Sequence, residues 1–549
     1  MTTGGDRLVA NLRARGVDTI FALPGIQLDP LFDALARQDA IRVFHTRHEQ
    51  AAAYMADGYA RASGSPGVCV VVPGPGVLNA GAALSTAYAT CSPVLCIAGD
   101  MFGGDAVRGT GALHEIPDQS KVFEGTIDWT RRVLTADEID QAIADAFARM
   151  AEAPSRPAAI EIGPAALGAE TAPLPDSPLP PLDALHREVR AALTPDSGQI
   201  EVAAEALAQA RRPVIYVGGG GTEAGTEIRK LAEALNAPIV MTAEGKGTVD
   251  EADPRVVPLV GSFALLDETD GLVVIGSRFT ATVGPPRVNP DAQRVRIDTN
   301  ERRFEGDWIP VQADAAQAVT ALTGAVTQLR PSDSDRDEQY SARVGELQEA
   351  VAAGLATRFP DTWGYCQSLR SAMSRVSVDA VLVDEMTQVG YMARNAFITH
   401  KPRTHIGSGY QGTLGFGYPT ALGAKVAVGD TPVVSINGDG GFLYNIGELA
   451  TAMHHGIGVV AVVFSDNAYG NVKGIQKRQF GREIASTLTN PDFVKLANSF
   501  DMRAATASNP AELDETLGAM LATNEPALIS VAIDEQPDFG AVMRGTVRL

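Results

Sequence analysis

The chain has 549 residues, 45% hydrophobic and 20% charged, so it is too long for a single core and suggests about three folded units of common size. A formal net charge of −21 and a pI near 4.8 would repel phosphate backbones, which excludes a nucleic-acid partner and leaves any anionic ligand to be held by local groups. Cys69, Cys91, Cys96 and Cys366 show no metal-ligand spacing and no window approaches an uninterrupted membrane span, so the protein reads as soluble and cytoplasmic, with free buried thiols and no membrane partner.

In chain order, "IRVFHTRHEQAAAYMADGYARASG" (Ile41 to Gly64) reads as a strand, a His-Glu turn and an alanine-rich helix, with Glu49 in the first helical turn. Short Val/Ile-rich runs follow at 67–76, 92–100, 212–221, 237–247, 271–277, 431–441 and 458–467. Such runs suit parallel strands buried on both faces, and helical stretches between them, such as Glu223 to Asn236, make βαβ units. The expected fold class is α/β, with three doubly wound parallel sheets. Proline density in "ETAPLPDSPLPPLDALHREVRAALTPDSGQ" (Glu170 to Gln199) argues for a crossing linker without regular structure, and "LRPSDSDRDEQYS" (Leu329 to Ser341) is charged and turn-rich. These breaks divide the chain into units of 1–168, 190–330 and 350–549.

The middle unit contains "YVGGGGTEAG", in which Gly219, Gly221 and Ala224 satisfy a dinucleotide-type G-x-G-x-x-A pattern, with Glu244 further on. A nicotinamide-dependent oxidoreductase is therefore a remote alternative for the whole chain.

The most informative stretch is "GDGGFLYNIGELATAMHHGIGVVAVVFSDNAYG" (Gly438 to Gly470), where Asn467 stands 28 residues beyond Asp439 at the end of a second apolar run. Both residues are expected at the carboxyl ends of strands in one parallel sheet, where open α/β folds bind ligands. A helix start after Gly440-Gly441 offers free N–H groups and close approach to phosphate oxygens. The helix expected over "NIGELATAMHH" would put Ile446, Leu449, Ala450 and Met453 on one face. A carboxylate, an amide oxygen and a backbone carbonyl together suit a hard Mg²⁺ ion.

This motif resembles the signature of the thiamine diphosphate enzymes of the acetolactate synthase, 2-oxoacid decarboxylase and benzaldehyde lyase group, with Asp466 in place of the usual first asparagine. The resemblance implies a pyrimidine-binding first domain, a Rossmann-like middle domain and a diphosphate-binding last domain. It implies that Asp439, the Asn467 side chain and the Tyr469 main-chain oxygen hold Mg²⁺, with Gly440 and Gly441 beside the cofactor. "RTHIGSGYQGTLGFGYPTALGAKVAVGD" is similar to the segment that holds the two cofactor rings: Gly412 would present a carbonyl to the 4′-amino group and Leu414 an apolar wedge. "EMTQVGYMAR", with Gly390, resembles the other phosphate loop. Glu49 would engage N1′ of the pyrimidine as the catalytic acid. Asn79 in "VVPGPGVLNAG" and Pro24-Gly25 in "LPGIQLDPLFDAL" would lie beside the cofactor, and Gln27 in the substrate pocket. In this group the cofactor is clamped between two chains, so a homodimer or homotetramer is implied.

"GTGALHEIPDQ" falls where relatives of this kind carry catalytic or substrate-facing polar residues, which marks His114, followed by Glu115, as a second catalytic candidate. Ile475 occupies the place of a tryptophan that narrows the acetolactate synthase pocket, and the segment after "GKG" looks shortened between Gly261 and Asp270, so FAD is not expected. The activity implied is cleavage of a 2-oxo acid with transfer to an aldehyde or ketone acceptor, as in acetolactate synthase. The alternative is simple decarboxylation to an aldehyde.

Overall fold

A computed structural model describes residues 2–101, 109–173, 179–280, 286–330 and 334–543. It contains three sheets of six strands, and every pairing within them is parallel. In spatial order the N-terminal sheet runs Arg42–His45, Thr19–Ala22, Gly67–Val71, Val94–Gly99, Ala158–Ile162, Thr130–Val133. The C-terminal sheet runs His405–Gly407, Val381–Asp384, Val433–Gly438, Val459–Ser465, Ala527–Ala532, Arg503–Ala507. Numbered along the chain, both have the order 2-1-3-4-6-5. The middle sheet, Val256–Val257, Ile239–Met241, Pro213–Val217, Gly271–Ile275, Gln293–Asp298, Ile309–Gln312, has the order 3-2-1-4-5-6 of dinucleotide folds.

The central strands are apolar on both faces because helices cover both, and Val/Ile-rich runs are what such strands require. One apolar cluster is shared by the outer sheets, joining Phe21, Tyr54 and Val94 to Phe416, Leu422 and Val459. Its seam is the contact between helices Glu49–Ser63 and Gly417–Val428. A Cβ at Gly58 would stand 2.0 Å from the Thr420 oxygen, and one at Gly423 would stand 1.9 Å from the Met55 oxygen. Only glycine lets these helices approach so closely.

Both expected linkers contain helix. Residues Leu182–Ala192 form one, with Pro181 at its N-cap, because the prolines stop there and leave an amphipathic window whose Leu182 and Leu185 pack on the N-terminal core. The second break opens a 25-residue helix, Ser334–Arg358. Its Tyr340 and Val344 join the middle core, while Val351 and Leu355 join the C-terminal core. The helix expected over "NIGELATAMHH" begins at Glu448, after a 3-10 turn at Leu443–Asn445, and buries Leu449 and Ala452 more deeply than Ala450.

The glycine turn of the middle sheet packs against its own chain. A Cβ on Gly220 would lie 2.8 Å from Gly276 Cα, and the Glu244 carboxylate pairs with Arg61 at 2.9 Å. Close backbone packing thus accounts for the glycines, and Glu244 braces two units. No helix among the described residues is long and apolar enough to cross a membrane.

Candidate active site

In a 2-1-3-4 winding the crossovers diverge between the first and third strands, and the crevice beyond their carboxyl ends is the natural ligand site. Each outer sheet has one such crevice, and the sequence-selected residues fall around both.

In the N-terminal crevice, Glu49 is the first residue of its helix, behind the N-cap His48, and is 6% exposed. Its Oε2 accepts from Asn79 Nδ2 at 3.0 Å, while a Cβ on Gly76 would come within 3.3 Å of Oε1. Asn79 lies inside the Pro75–Thr90 helix, so it orients the glutamate and does not cap a turn. Pro24 is exposed and Gly25, at the N-cap of the Ile26–Leu28 turn, packs against Val72. Gln27 is buried and its Nε2 lies 3.0 Å from His114 Nδ1, which brings the two distant polar candidates together. The Gln27 Oε1 is buried with no protein partner. His114 adopts φ +65°, with its carbonyl against Gly74. Glu115 instead closes its own loop, accepting from the backbone of Gly109, Thr110 and Ala112, and these bonds, Gly109 first, hold its carboxyl below the usual range.

In the C-terminal crevice, Asp439 is 2% exposed and begins the short Asp439–Phe442 helix, which starts before Gly440-Gly441 and not after them. Its Oδ1 accepts from Gly440 N at 2.7 Å, and its Oδ2 accepts from Asn467 N and Asn490 Nδ2 at 2.8 Å and Ser465 Oγ at 2.9 Å. Asn467 adopts φ +55°. Asn490 Nδ2 also lies 3.1 Å from Asn467 Oδ1, so one amide nitrogen bridges the two oxygens assigned to a cation, while Asn490 Oδ1 is buried without a protein partner. The Tyr469 carbonyl accepts from Lys473 N at 2.9 Å, and its ring covers Gly440, where a Cβ would lie 2.5 Å from Cε1.

Around this group, Gly390 donates its N–H to Thr387 Oγ1 at 2.9 Å, so that amide is already committed to capping its own helix. Gly412 sits at φ +59° beside Met386, and Leu414 is half-buried in the same loop. Ile475 is 38% exposed on the Gly470–Phe480 helix, which buries none of its residues in the single chain. Among the described residues no hydrogen bond joins Glu49, Asn79, Gln27 or His114 to Asp439, Asn467, Gly390 or Gly412.

Two functional neighbours were passed over in the sequence. Glu385 follows the first strand of the C-terminal sheet, and a Cβ on Gly441 would lie 2.5 Å from its Oε1. Complete burial pushes its carboxyl up to about 7, against N–H donors from Gly415, Gly438, Phe416 and Gly417. Asn490 is the other. Nothing but the fold brings a residue 23 positions past Asn467 onto Asp439.

Among the described residues neither crevice pairs a nucleophile with a base, while both offer groups that position something larger. This division defines an α/β enzyme whose chemistry resides on a bound cofactor. Family models match in three places: "Thiamine pyrophosphate enzyme, N-terminal TPP binding domain" over residues 2–122, the central domain over 200–322 and the C-terminal TPP binding domain over 385–531. The chain is 32% identical to a probable acetolactate synthase large subunit of Methanocaldococcus jannaschii, over 97% of this chain and 92% of that one. It is 31% identical to a probable 2-ketoarginine decarboxylase of Pseudomonas aeruginosa (93% and 90%), and 28% identical to the acetolactate synthase isozyme 1 large subunit of Escherichia coli (97% and 94%). The chain belongs to the thiamine pyrophosphate enzyme family, and its cofactor is thiamine diphosphate.

The residues present fit that group. The donors around Asp439 and Asn467 are oxygens suited to a hard cation, and Asn490, with one amide atom between them and the other unpartnered, occupies the place where such an ion would be ligated.

Proposed function

We propose that the protein is a thiamine diphosphate- and Mg²⁺-dependent carboligase of acetolactate synthase type, which removes CO₂ from a 2-oxo acid and transfers the remaining fragment to an aldehyde or ketone acceptor. The bound cofactor supplies the electron sink for breaking the carbon–carboxylate bond. In this reading Glu49, held by Asn79, keeps and returns the proton at pyrimidine N1′. Asp439 and Asn467, with the Tyr469 carbonyl, would hold Mg²⁺, in the place the Asn490 amide nitrogen now bridges. Gly390, Gly412, Gly440 and Gly441 let the chain approach the cofactor, with Leu414 against its rings and Pro24-Gly25 at the pyrimidine.

Gln27 and His114, hydrogen-bonded as a pair, face the substrate and offer a proton donor to it. The neutral form of Glu385 suits a position beside a diphosphate, since an ionised carboxylate there would repel it. The same reading divides the chain into 1–168, 190–330 and 350–549 and forms the complete site between two chains.

The observation that carries the proposal is the Glu49–Asn79 pair in one crevice and the Asp439–Asn467–Asn490 cluster in the other, in a chain that aligns almost end to end with a probable acetolactate synthase. The 2-ketoarginine decarboxylase relative, at 31% identity, favours simple decarboxylation as the second reading. Incubation with a panel of 2-oxo acids, with and without carbonyl acceptors, followed by mass identification of products, separates them. Ligated products are expected; free aldehyde alone, unchanged by any acceptor, would give the second reading the field. A flavin absorption spectrum in the purified protein would overturn the expectation that FAD is absent.

A further inference from the structure

The N- and C-terminal sheets meet at a group of side chains that the thiamine chemistry does not use. His45 ends the strand Arg42–His45, and His454 and His455 form the last turn of the helix Glu448–His455, which closes on Gly456 in the left-handed conformation. The three imidazoles form a nearly equilateral triangle, with centroids 4.6, 4.8 and 4.7 Å apart. One nitrogen from each lies within 4.8 Å of the others. His45 and His455 are half-buried and His454 is exposed, so the triangle is anchored on two sides and open to solvent on the third.

We propose that His45, His454 and His455 form a binding site for a divalent transition-metal ion of the zinc class, distinct in ligand chemistry from the oxygen-lined magnesium site. Three imidazoles with a water in the fourth position make a tetrahedral zinc environment, and imidazole donors suit zinc, cobalt, nickel or copper, whereas Mg²⁺ prefers oxygen. An ion at about 2.0–2.1 Å from each nitrogen brings the nitrogens to about 3.4 Å of one another, a closure that side-chain rotation supplies.

The surroundings favour this use. The His45 N–H donates to His455 Nε2 at 3.2 Å, and the same ring nitrogen lies 3.3 Å from the His45 carbonyl. Ligation through Nδ1 moves the ring proton to Nε2, which then donates to that carbonyl in place of accepting from the His45 N–H, and a ring N–H given to a backbone oxygen is the usual support of a metal-bound histidine. Phe44 packs on the His455 ring at 5.1 Å and fixes its plane. Arg47 is the cation facing the cluster, and the Glu448 carboxylate accepts its backbone N–H. An ion here would clamp the turn leading to Glu49 onto the C-terminal domain.

The test uses the holoenzyme saturated with thiamine diphosphate and Mg²⁺, titrated with Zn²⁺ by calorimetry and with Co²⁺ by visible absorption. One ion per chain is expected, with the strong visible bands of four-coordinate cobalt and a raised melting midpoint with Zn²⁺. Outer-shell partners alone change metal affinity about 10–100-fold, so the exposed-ligand variant H454Q should weaken binding at least about tenfold while melting like wild type without metal. H45Q and H455Q should behave alike; if either fails to fold, H454Q decides. Absence of binding, which would leave the triangle as edge-to-face packing only, overturns the proposal. So does equal affinity in wild type and H454Q.

Discussion

At the residue scale, Asp439 stood out as a candidate because it sits among glycines at a strand end, and Glu49, at a helix start, only because its segment resembles the family's. Glu49→Gln keeps an oxygen for Asn79 to donate to, so fold and cofactor binding should persist while turnover falls about 10²–10⁴-fold. Steady-state kinetics beside a thiamine diphosphate titration checks this, and near-normal turnover would remove Glu49 from the mechanism. Asp439→Ala strips the acceptor from Ser465, Asn467 and Asn490 at once. It should weaken cofactor affinity by more than about tenfold, because the metal ligand and its support go together; a mutant titrating at wild-type strength would contradict the assignment. Ile475, exposed in the single chain, is not the core residue that would make its position incidental. Without an indole wall, and with a methylene worth only about 1–3 kcal/mol even in a fitted pocket, equal pyruvate and 2-oxobutyrate should compete on nearly equal terms. Strong preference for 2-oxobutyrate would show that the missing ring has no consequence. Asn490 and Glu385 escaped detection because their importance lies in what the fold places opposite them.

At the scale of elements, the longer strands buried on both faces were visible as apolar runs, whereas short buried ones such as Thr19–Ala22 and Val381–Asp384, and strands with polar punctuation, were not. Gln293–Asp298 is a strand despite two arginines, since Arg296 lays its guanidinium over Trp308 at 4.5 Å and donates to the Ser277, Arg278 and Arg303 carbonyls. No windowed pattern anticipates such a partner. The turn after Val381–Asp384 carries its own pH dependence. Burial raises Glu385 from its ordinary 4.5 to about 7, so the native state holds that proton more tightly than the unfolded chain does. The stability this contributes is complete below about pH 4.5 and is lost as pH rises through about 7, at a slope of up to about 1.4 kcal/mol per pH unit. Glu448, also raised to about 7 by burial, acts in the same direction. Melting midpoints between about pH 5 and 8 should fall less steeply for Glu385→Gln than for wild type; parallel curves would mean that the carboxyl is ionised throughout.

At the scale of the whole molecule, the alternation of apolar runs and helices announced doubly wound sheets, but strand order is a long-range property, and only the structure shows the outer pair sharing one winding. If the active site is completed between chains, specific activity should fall on dilution and return on concentration. Activity per chain that stays constant down to a demonstrated monomer would place the site within one chain. The Ser334–Arg358 helix bears on a more practical matter, the dissection of the protein. Leu355, 1% exposed, anchors its far end, and Leu355→Ala should cost about 2–5 kcal/mol in the C-terminal unit. Its near end hydrogen-bonds Tyr340 to the Pro213 carbonyl in the middle unit. A fragment ending before residue 340 would leave the middle unit with an open greasy flank, and one starting after 355 would do the same to its neighbour. No single cut therefore yields two well-behaved pieces, and a middle fragment and a C-terminal fragment made separately would each have to carry its own copy of this helix.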